Sequence, residues 1–406
     1  MTRVLFLSPG FPFEMPYFAR GLKRVGAQVI GLADHPLPAL PDIARQSLVD
    51  YLQVRNMWDE ESTVEEVVNY ARRVRIDQVE CLWEPGMMLA ARLREALGLP
   101  GMGSEATLPF RDKSVMKQKL DAAGIRTPRH RRARTEAEIR DAVEAIGYPL
   151  CIKPIAGAGS ADTHRVDGPE ELERVIKLTR HVRELSVEEF IEGEEYTFDT
   201  ICSNGQIHFH NVSWYRPQPL IQRTVEWVSP QTIALRRTDA PHLRAGVEMG
   251  KKVLKALGFR SGFTHMEWFL KKDGEAVFGE IGGRPPGARS VDIMNYACDI
   301  DVFTGWAEAV VHGSFSQRVE RKYNAAIIFK RAQGQGRIRR IDGLQKLARE
   351  LGPAVAAVDL LPIGAHRRNW KQTLLSDGFV IVRNQRLETT VKMADFVGSE
   401  LNLYAA

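Results

Sequence analysis

Cysteine is scarce in this chain: Cys81, Cys151, Cys202 and Cys298 are its four, scattered without a CxxC pair. The scatter excludes a disulfide framework and a Cys-based zinc site, and it predicts a reducing, cytoplasmic setting. Long apolar runs are missing as well. No stretch approaches the roughly 20 residues that a membrane-spanning helix needs, so no membrane partner is expected. The apolar start, Val4-Leu5-Phe6-Leu7, is cut short by Pro9-Gly10; it reads as a first strand and its turn, not a signal peptide. Ser8-Pro9-Gly10-Phe11-Pro12 is not a GxGxxG loop, which disfavours a dinucleotide site there. A large excess of one charge is lacking too, since 56 Lys and Arg against 51 Asp and Glu leave +5. Basic runs stand at Arg126 to Arg134, Arg337 to Arg340 and His366 to Arg368, but no nucleic-acid-binding module surrounds them. Charge alone supplies only non-specific affinity. These runs read as solvated faces or the lining of a pocket for an anion, with no nucleic-acid partner.

What is present is an ordinary soluble composition in 406 residues, enough for two or three domains. Up to about residue 110, predicted strands at 4–7, 28–32 and 78–83 alternate with predicted helices at 17–25, 63–75 and 87–97. Such alternation implies a parallel sheet flanked by helices. Glu84 falls just past a strand, where open α/β sheets place ligand-binding groups; a solvated loop carboxylate is the equal alternative. Asp112 is placed to cap a helix over 113–123, and Thr135 with Glu138 forms a capping box for a helix to Ile146. A strand at 149–153, a loop over 154–161, a helix at 169–182 and a strand at 186–191 follow. Beyond about 320 the pattern is mixed α and β.

Two segments carry chemistry. The first runs from Phe263 to Leu270, through Lys271-Lys272-Asp273-Gly274, to Glu275 and Ile281. Asp-Gly between two apolar runs signals a hairpin with a two-residue turn. That turn sets Glu267 directly opposite Glu280. Like charges directly opposite destabilise a sheet, and a cation between them would relieve the repulsion. Oxygen ligands without thiolates suit Mg²⁺ or Mn²⁺ rather than zinc. The other reading leaves both carboxylates screened in water. Arg284 follows in Gly282-Gly283-Arg284-Pro285-Pro286-Gly287, too rich in glycine and proline for regular structure. Beside a metal, its planar fork suits a phosphoryl group or an acyl phosphate.

The second segment lies upstream. Lys153 ends a strand just ahead of Gly157-Ala158-Gly159-Ser160. Glycines let backbone N–H groups turn toward an anion, and the ammonium adds charge. This is not a Walker loop, because the lysine precedes the glycines. Val187 to Thr197 then reads as strand, turn and strand, dense in glutamate. A strand backbone can pair with an adenine edge and a carboxylate can accept from ribose hydroxyls. An acidic surface hairpin is the competing account.

Taken in order, Lys113, Lys153 with its glycine loop, the Glu188 to Glu195 segment, Glu267, Glu280 and Arg284 make the chain resemble the ATP-grasp superfamily from about residue 1 to 330. Leu97-Gly98-Leu99-Pro100-Gly101 and Arg111-Asp112-Lys113 resemble the α/β domain that precedes it. The resemblance implies an α/β, ATP-grasp fold. Its parts would be a parallel α/β (pre-ATP-grasp) domain over 1–110, a lid subdomain over 111–190, a large subdomain with the metal site over 191–320, and a small α+β C-terminal region over 321–406. It implies ATP and Mg²⁺ (or Mn²⁺) as cofactors. By resemblance, Lys113 and Lys153 contact ATP phosphates, and Gly157, Gly159 and Ser160 belong to a mobile loop over them. Glu188 and the backbone of Glu189, Phe190 and Ile191 hold adenine, and Glu195 holds the ribose. Glu267 and Glu280 bind the metal, and Arg284 steadies an acyl phosphate. Two departures stand out: Gly282 where the superfamily usually has Asn, which removes a side-chain ligand, and Asp162 where glycine is common.

The reaction implied is ATP-dependent joining of a carboxylate to an amine through an acyl phosphate. His265-Met266-Glu267 resembles the His-x-Glu of amino-acid ligases that make dipeptides, which makes His265 a catalytic candidate; a histidine packed on the sheet is the other reading. Arg289 and Ser290 are candidates for a second carboxylate, and Trp214-Tyr215-Arg216 for the pocket border. The partners implied are a small-molecule carboxylate and an amine, with a homodimer permitted. One alternative is a biotin-carboxylase-like, bicarbonate-activating enzyme. It is disfavoured because Pro285-Pro286-Gly287-Ala288 stands where a Gln-Val-Glu-His-like stretch is characteristic. Another is a non-catalytic ATP-binding module, which Gly282 suggests.

Overall fold

The N-terminal strands form a parallel sheet in the order Leu48–Gln53, Gln28–Ala33, Arg3–Leu7, Gln78–Glu80. The computed structural model describes residues 1–156, 162–373 and 375–406. Helices Met15–Arg24, Glu60–Ala71 and Met87–Leu97 follow the expected alternation, and Gly98 ends the last in a left-handed conformation. The edge strand Leu48–Gln53 carries Asp50 in its middle and buries none of its residues fully, so it has no periodic signal to read. Helix Met15–Arg24 turns Phe18 onto Phe303 and Trp306 of helix Val302–His312, ring centroids 4.9 and 5.2 Å apart. All three rings are buried. Burying each contributes about 1.5–3 kcal/mol. This aromatic joint fixes the N-terminal loops against the rest of the chain.

A four-stranded antiparallel sheet comes next, ordered His130–Ala133, Leu185–Glu189, Leu150–Pro154, His164–Val166. Helices Glu136–Ile146 and Pro169–Leu178 cover it through Ile139, Ala142, Leu172 and Val175. Both helix starts match the caps expected. Asp112 accepts from the Ser114 and Val115 amides, and Thr135 and Glu138 cap each other reciprocally.

The largest sheet has nine strands and runs from Ala276–Gly282 through Gly262–Leu270, Glu194–Ser203, Ser213–Arg216 and Gln231–Ala234. It then continues through Asn324–Phe329, Gly378–Asn384 and Val355–Leu360. The sheet therefore crosses residue 320 without a break. One expectation is corrected here. Residues 187–197 are not a hairpin: Leu185–Glu189 pairs within the four-stranded sheet, whereas Glu194–Ser203 pairs within the nine-stranded one. The short stretch between them passes from one sheet to the other, and a cleft opens there. The basic run at 126–134 is largely neutralised. Arg126 and Arg129 pair with Glu189, and Arg132 and Arg134 with Glu184.

Candidate active site

The Glu267–Glu280 pairing is present, by a route other than the one inferred from the turn. Lys271 and Glu275 close a three-residue turn over Lys272, Asp273 and Gly274, with Gly274 at φ +88°. That alone would slip the register by one residue. A bulge at Gly279 restores it, so Glu267 stands opposite Glu280. A Cβ on Gly279 would lie 2.8 Å from the Glu267 carbonyl oxygen, so only glycine lets the two strands approach this closely.

Around the pair the charges are ordered. Lys113, at the start of helix Lys113–Ala122, lies 3.4 Å from Glu280. Burial raises the Glu280 carboxyl, but Lys113, Lys153, Lys117 and Arg284 outweigh it and bring its pKa down to about 2. Glu267 accepts from Tyr215 Oη at 3.2 Å and faces His265 Nε2 at 3.3 Å. Glu195, buried beside them, is pushed well up by burial and by the charges of Glu267 and Glu280. Three carboxylates thus crowd one face, and a divalent cation would relieve the repulsion that pushes Glu195 up. The donors are hard carboxylate oxygens, which fits Mg²⁺. Among the described residues no three His, Cys, Asp or Glu are arranged so that they could hold a metal ion together, so a metal here would take its remaining ligands from water and phosphate.

Lys153, the last residue but one of strand Leu150–Pro154, reaches Glu188 at 3.1 Å. The other Glu188 oxygen accepts from Lys117 Nζ at 2.7 Å and from Ser186 at 2.7 Å. Burial alone would raise the Glu188 pKa, but the two ammoniums hold it far below the ordinary carboxylate range. The Glu188 carboxylate thus meets Lys117, Lys153 and Ser186, where the resemblance implies an adenine contact. Lys117 is absent from the sequence-derived candidates. Its position one helical turn after Lys113 is the signal that could have found it. Glu189 points to Arg126 and Arg129, and the Glu189 and Phe190 amides donate to the Arg129 and Pro149 carbonyls. Those two donors are not available to an adenine edge. Phe190 and Ile191 still line the cleft with Lys113, Lys153, Glu195 and Glu280. Gly157, Gly159 and Ser160 lie outside the described residues. Asp162 has φ +50°, a conformation that glycine takes freely.

A second cavity also reaches the pair, and Tyr215, His265, Glu267, Glu280 and Arg284 all contribute to it. Arg284 is held by Glu84, whose Oε2 accepts from its Nε at 2.8 Å and its Nη2 at 2.5 Å, while Oε1 accepts from Arg111. Both oxygens of Glu84, a substrate candidate from the sequence, thus accept from arginines here. His265 is likewise held at both ring nitrogens, by Asp199 at 2.6 Å and by Glu267. Burial would lower its pKa, but those two carboxylates raise it to about 9. Both ring nitrogens face carboxylates, so the ring is placed to orient Glu267. Asp199 is a further residue not found from sequence; Thr197 and Asn211 anchor it at 2.7 and 3.0 Å. Ser290 lines the second cavity and donates to the Gly287 carbonyl. Arg289 turns away, paired with Asp292 at 2.9 Å and packed over Tyr17. Of the Trp214-Tyr215-Arg216 run only Tyr215 borders the cavity; Trp214 donates to Glu194 and Arg216 pairs with Asp395.

Residues 146–291 match the model of the ATP-grasp domain and residues 22–101 that of the ATP-grasp N-terminal domain. The chain belongs to the ATP-grasp superfamily. Among ATP-grasp relatives, the L-arginine-specific L-amino acid ligase of Bacillus subtilis is 28% identical over 215 residues, 51% of this chain and 51% of that protein. The alanine–anticapsin ligase of Bacillus subtilis is 26% identical over 262 residues, 60% of this chain and 56% of that protein. The chain thus spans about half the length of the curated relatives it matches. The L-amino acid ligase from Bacillus licheniformis has the same ATP-grasp fold, with a TM-score of 0.81 at 22% identity over 100% of this chain and 99% of that one. Among the described residues no helix is long and apolar enough to cross a membrane.

Proposed function

We propose that the chain is an ATP-dependent carboxylate–amine ligase. One observation supports this reading: two cavities share the same carboxylate pair, Glu267 and Glu280. Lys113 and Lys153 line the first and Arg284 the second. ATP would enter the first with its phosphates toward Lys113 and Lys153. A substrate carboxylate and an amine would use the second.

In this reading a carboxylate oxygen attacks the γ-phosphorus, the bond to the bridging oxygen breaks, and ADP leaves. The amine nitrogen then attacks the acyl carbon, phosphate departs with the C–O electron pair, and the nitrogen gives up a proton. Such chemistry needs positioning and charge neutralisation more than covalent help. Lys153, held by Glu188, whose other oxygen accepts from Lys117, neutralises phosphate oxygens without having to reorganise. Arg284, locked by Glu84, offers its fork to the acyl phosphate. Tyr215 and His265 hold Glu267 in place. Mg²⁺ on Glu267 and Glu280 would supply further neutralisation of the phosphoryl oxygens.

The test is ADP release with ATP and Mg²⁺ across a panel of amino acids, singly and in pairs, with other small carboxylates beside them. Release that requires both an acid and an amine supports the ligase. Release with bicarbonate and biotin alone, or ATP binding with no release under any pair, overturns it. Glu280→Gln should lower ADP formation at least 100-fold, about 2.7 kcal/mol of barrier, while far-UV circular dichroism stays that of wild type.

A further inference from the structure

The second cavity has a volume of about 470 Å³, within the roughly 300–1,000 Å³ of sites that enclose drug-sized ligands. The reaction above uses its polar end, at Glu267, Glu280 and Arg284. Much of the remaining wall is apolar. Met15, Leu82, Phe329 and Leu375 line it and are buried. Phe11 and Phe13 line it too, yet they are 58% and 53% exposed. Trp83 is a further lining ring, and the exposed Trp58 packs edge-on against it, ring centroids 5.4 Å apart. Single exposed apolar residues are ordinary. Two on one short loop, both lining the same cavity, mark a surface that a ligand covers. The loop's backbone holds them there. The Ser8 amide donates to the Leu32 carbonyl at 2.8 Å, and Ser8 Oγ to the Phe11 carbonyl at 2.6 Å. The Met15 amide donates to the Pro12 carbonyl at 3.0 Å, and the buried Glu14 carboxylate accepts from the Arg289 amide at 2.7 Å. The loop is thus tied at both ends while its two phenyl rings stay uncovered.

Where this wall begins says which substrate meets it. Trp83 and Pro85 line the cavity and flank Glu84, which accepts from Arg284 Nε at 2.8 Å. The apolar wall therefore starts beside the arginine that would meet the acyl phosphate, next to whatever the activated carbon carries. We infer that the substrate whose carboxylate is activated bears an apolar group of aromatic size, received by Phe11, Phe13 and Trp83. Ring area then holds the substrate and the few polar groups orient it. An acid as small as propanoate or alanine would leave the rings in water. The inference rests on the ligase reading in taking this cavity as the substrate's.

Calorimetric titration of the full chain with ADP and Mg²⁺ present tests it. The acid probes are 3-phenylpropanoate against propanoate and L-phenylalanine against L-alanine. L-phenylalaninamide against L-alaninamide is the control that has an amine and no carboxylate. In wild type at least one phenyl acid should bind tenfold or more tighter than its small counterpart, and the amide pair should differ less than threefold. Phe11→Ser and Phe13→Ser should each cut the acid ratio at least threefold; both side chains are more than half exposed, so neither change empties the core. Absence of the preference overturns the subsite, as does an equal preference in the amide pair or a ratio unchanged in both variants. A dimer that sedimentation detects in wild type and loses in Phe11→Ser also overturns it, because a second copy would then cover the rings. ADP release on the same acids with an amine added judges the ligase separately. Release without a side-chain preference sinks the subsite alone; a preference without release under any pair sinks the ligase reading and leaves an apolar acid site standing.

Discussion

Glu84→Gln isolates the link between the N-terminal domain and Arg284. The Glu84 side chain is 12% exposed, and those of Arg284 and Arg111 are 18% and 17% exposed, so water does little to screen the cluster. One carboxylate oxygen serves Arg284 twice and the other serves Arg111. Glutamine keeps one acceptor and sets an N–H₂ donor against the second arginine, so one arginine loses its partner. Breaking a buried ion pair costs about 3–5 kcal/mol, and a single charge-assisted hydrogen bond about 1.5–3 kcal/mol. With one acceptor retained, ~2–3 kcal/mol is expected, read as a lowered urea midpoint at unchanged slope. Arg284 keeps its bond to the Pro285 carbonyl at 2.9 Å, so its guanidinium should shift without leaving the site. The kinetic consequence is a fall of about 100-fold in kcat/KM for the carboxylate substrate, ~2.7 kcal/mol of transition-state stabilisation. KM for ATP should move less than threefold, because Glu84 lines only the second cavity. A Glu84→Gln protein within twofold of wild type in kcat/KM would refute the positioning role. So would an equal rise in both KM values.

Gly279→Ala should destabilise the protein by about 1–3 kcal/mol, as overpacking does, since the new methyl lies 2.8 Å from the Glu267 carbonyl. It should also raise the Mg²⁺ concentration for half-maximal ADP release; an unchanged Mg²⁺ titration would show that the bulge does not set the carboxylate spacing. Asp292 supplies a pH test. Burial raises its pKa to about 6, against the pull of Arg289. A carboxyl whose folded pKa lies above its unfolded value favours folding at low pH, and that contribution is lost as pH rises through about 6. Wild type should therefore gain ~2–3 kcal/mol relative to Asp292→Asn on going from pH 7 to pH 4, measured by urea unfolding. An identical stability gap at the two pH values would contradict the assignment.

Much was legible because it is local. Asp112 and Thr135 cap their helices through bonds reaching two or three residues along the chain, and alternation of strand and helix in the first 110 residues specifies a parallel sheet. Even there, the Glu267–Glu280 register came out right through two offsetting departures, a longer turn and a bulge. Neither follows from the Asp273-Gly274 signal, since a bulge answers to the neighbouring strand. The acidic segment at 187–197 shows the opposite limit. Its strands have the pattern of a hairpin, but pairing partners decide sheet membership, and those partners lie far away in sequence.

Side-chain roles divide along the same line. The order of Lys113, Lys153, Glu267, Glu280 and Arg284 points from sequence alone to a phosphate and metal site, because charge type and spacing are written in the residues. Which of their neighbours act directly and which position others is a tertiary matter. Glu84 stands 200 residues before Arg284, and Lys117 stands 71 before Glu188, yet each pair is in contact. Glu84, Glu188 and His265 read from sequence as site candidates, and the fold brings their polar atoms to other side chains. The second cavity draws its walls from residues near 11–15, 82–85, 284–290 and 329–331. No local pattern announces it, because a cavity is the space between elements that only packing brings together.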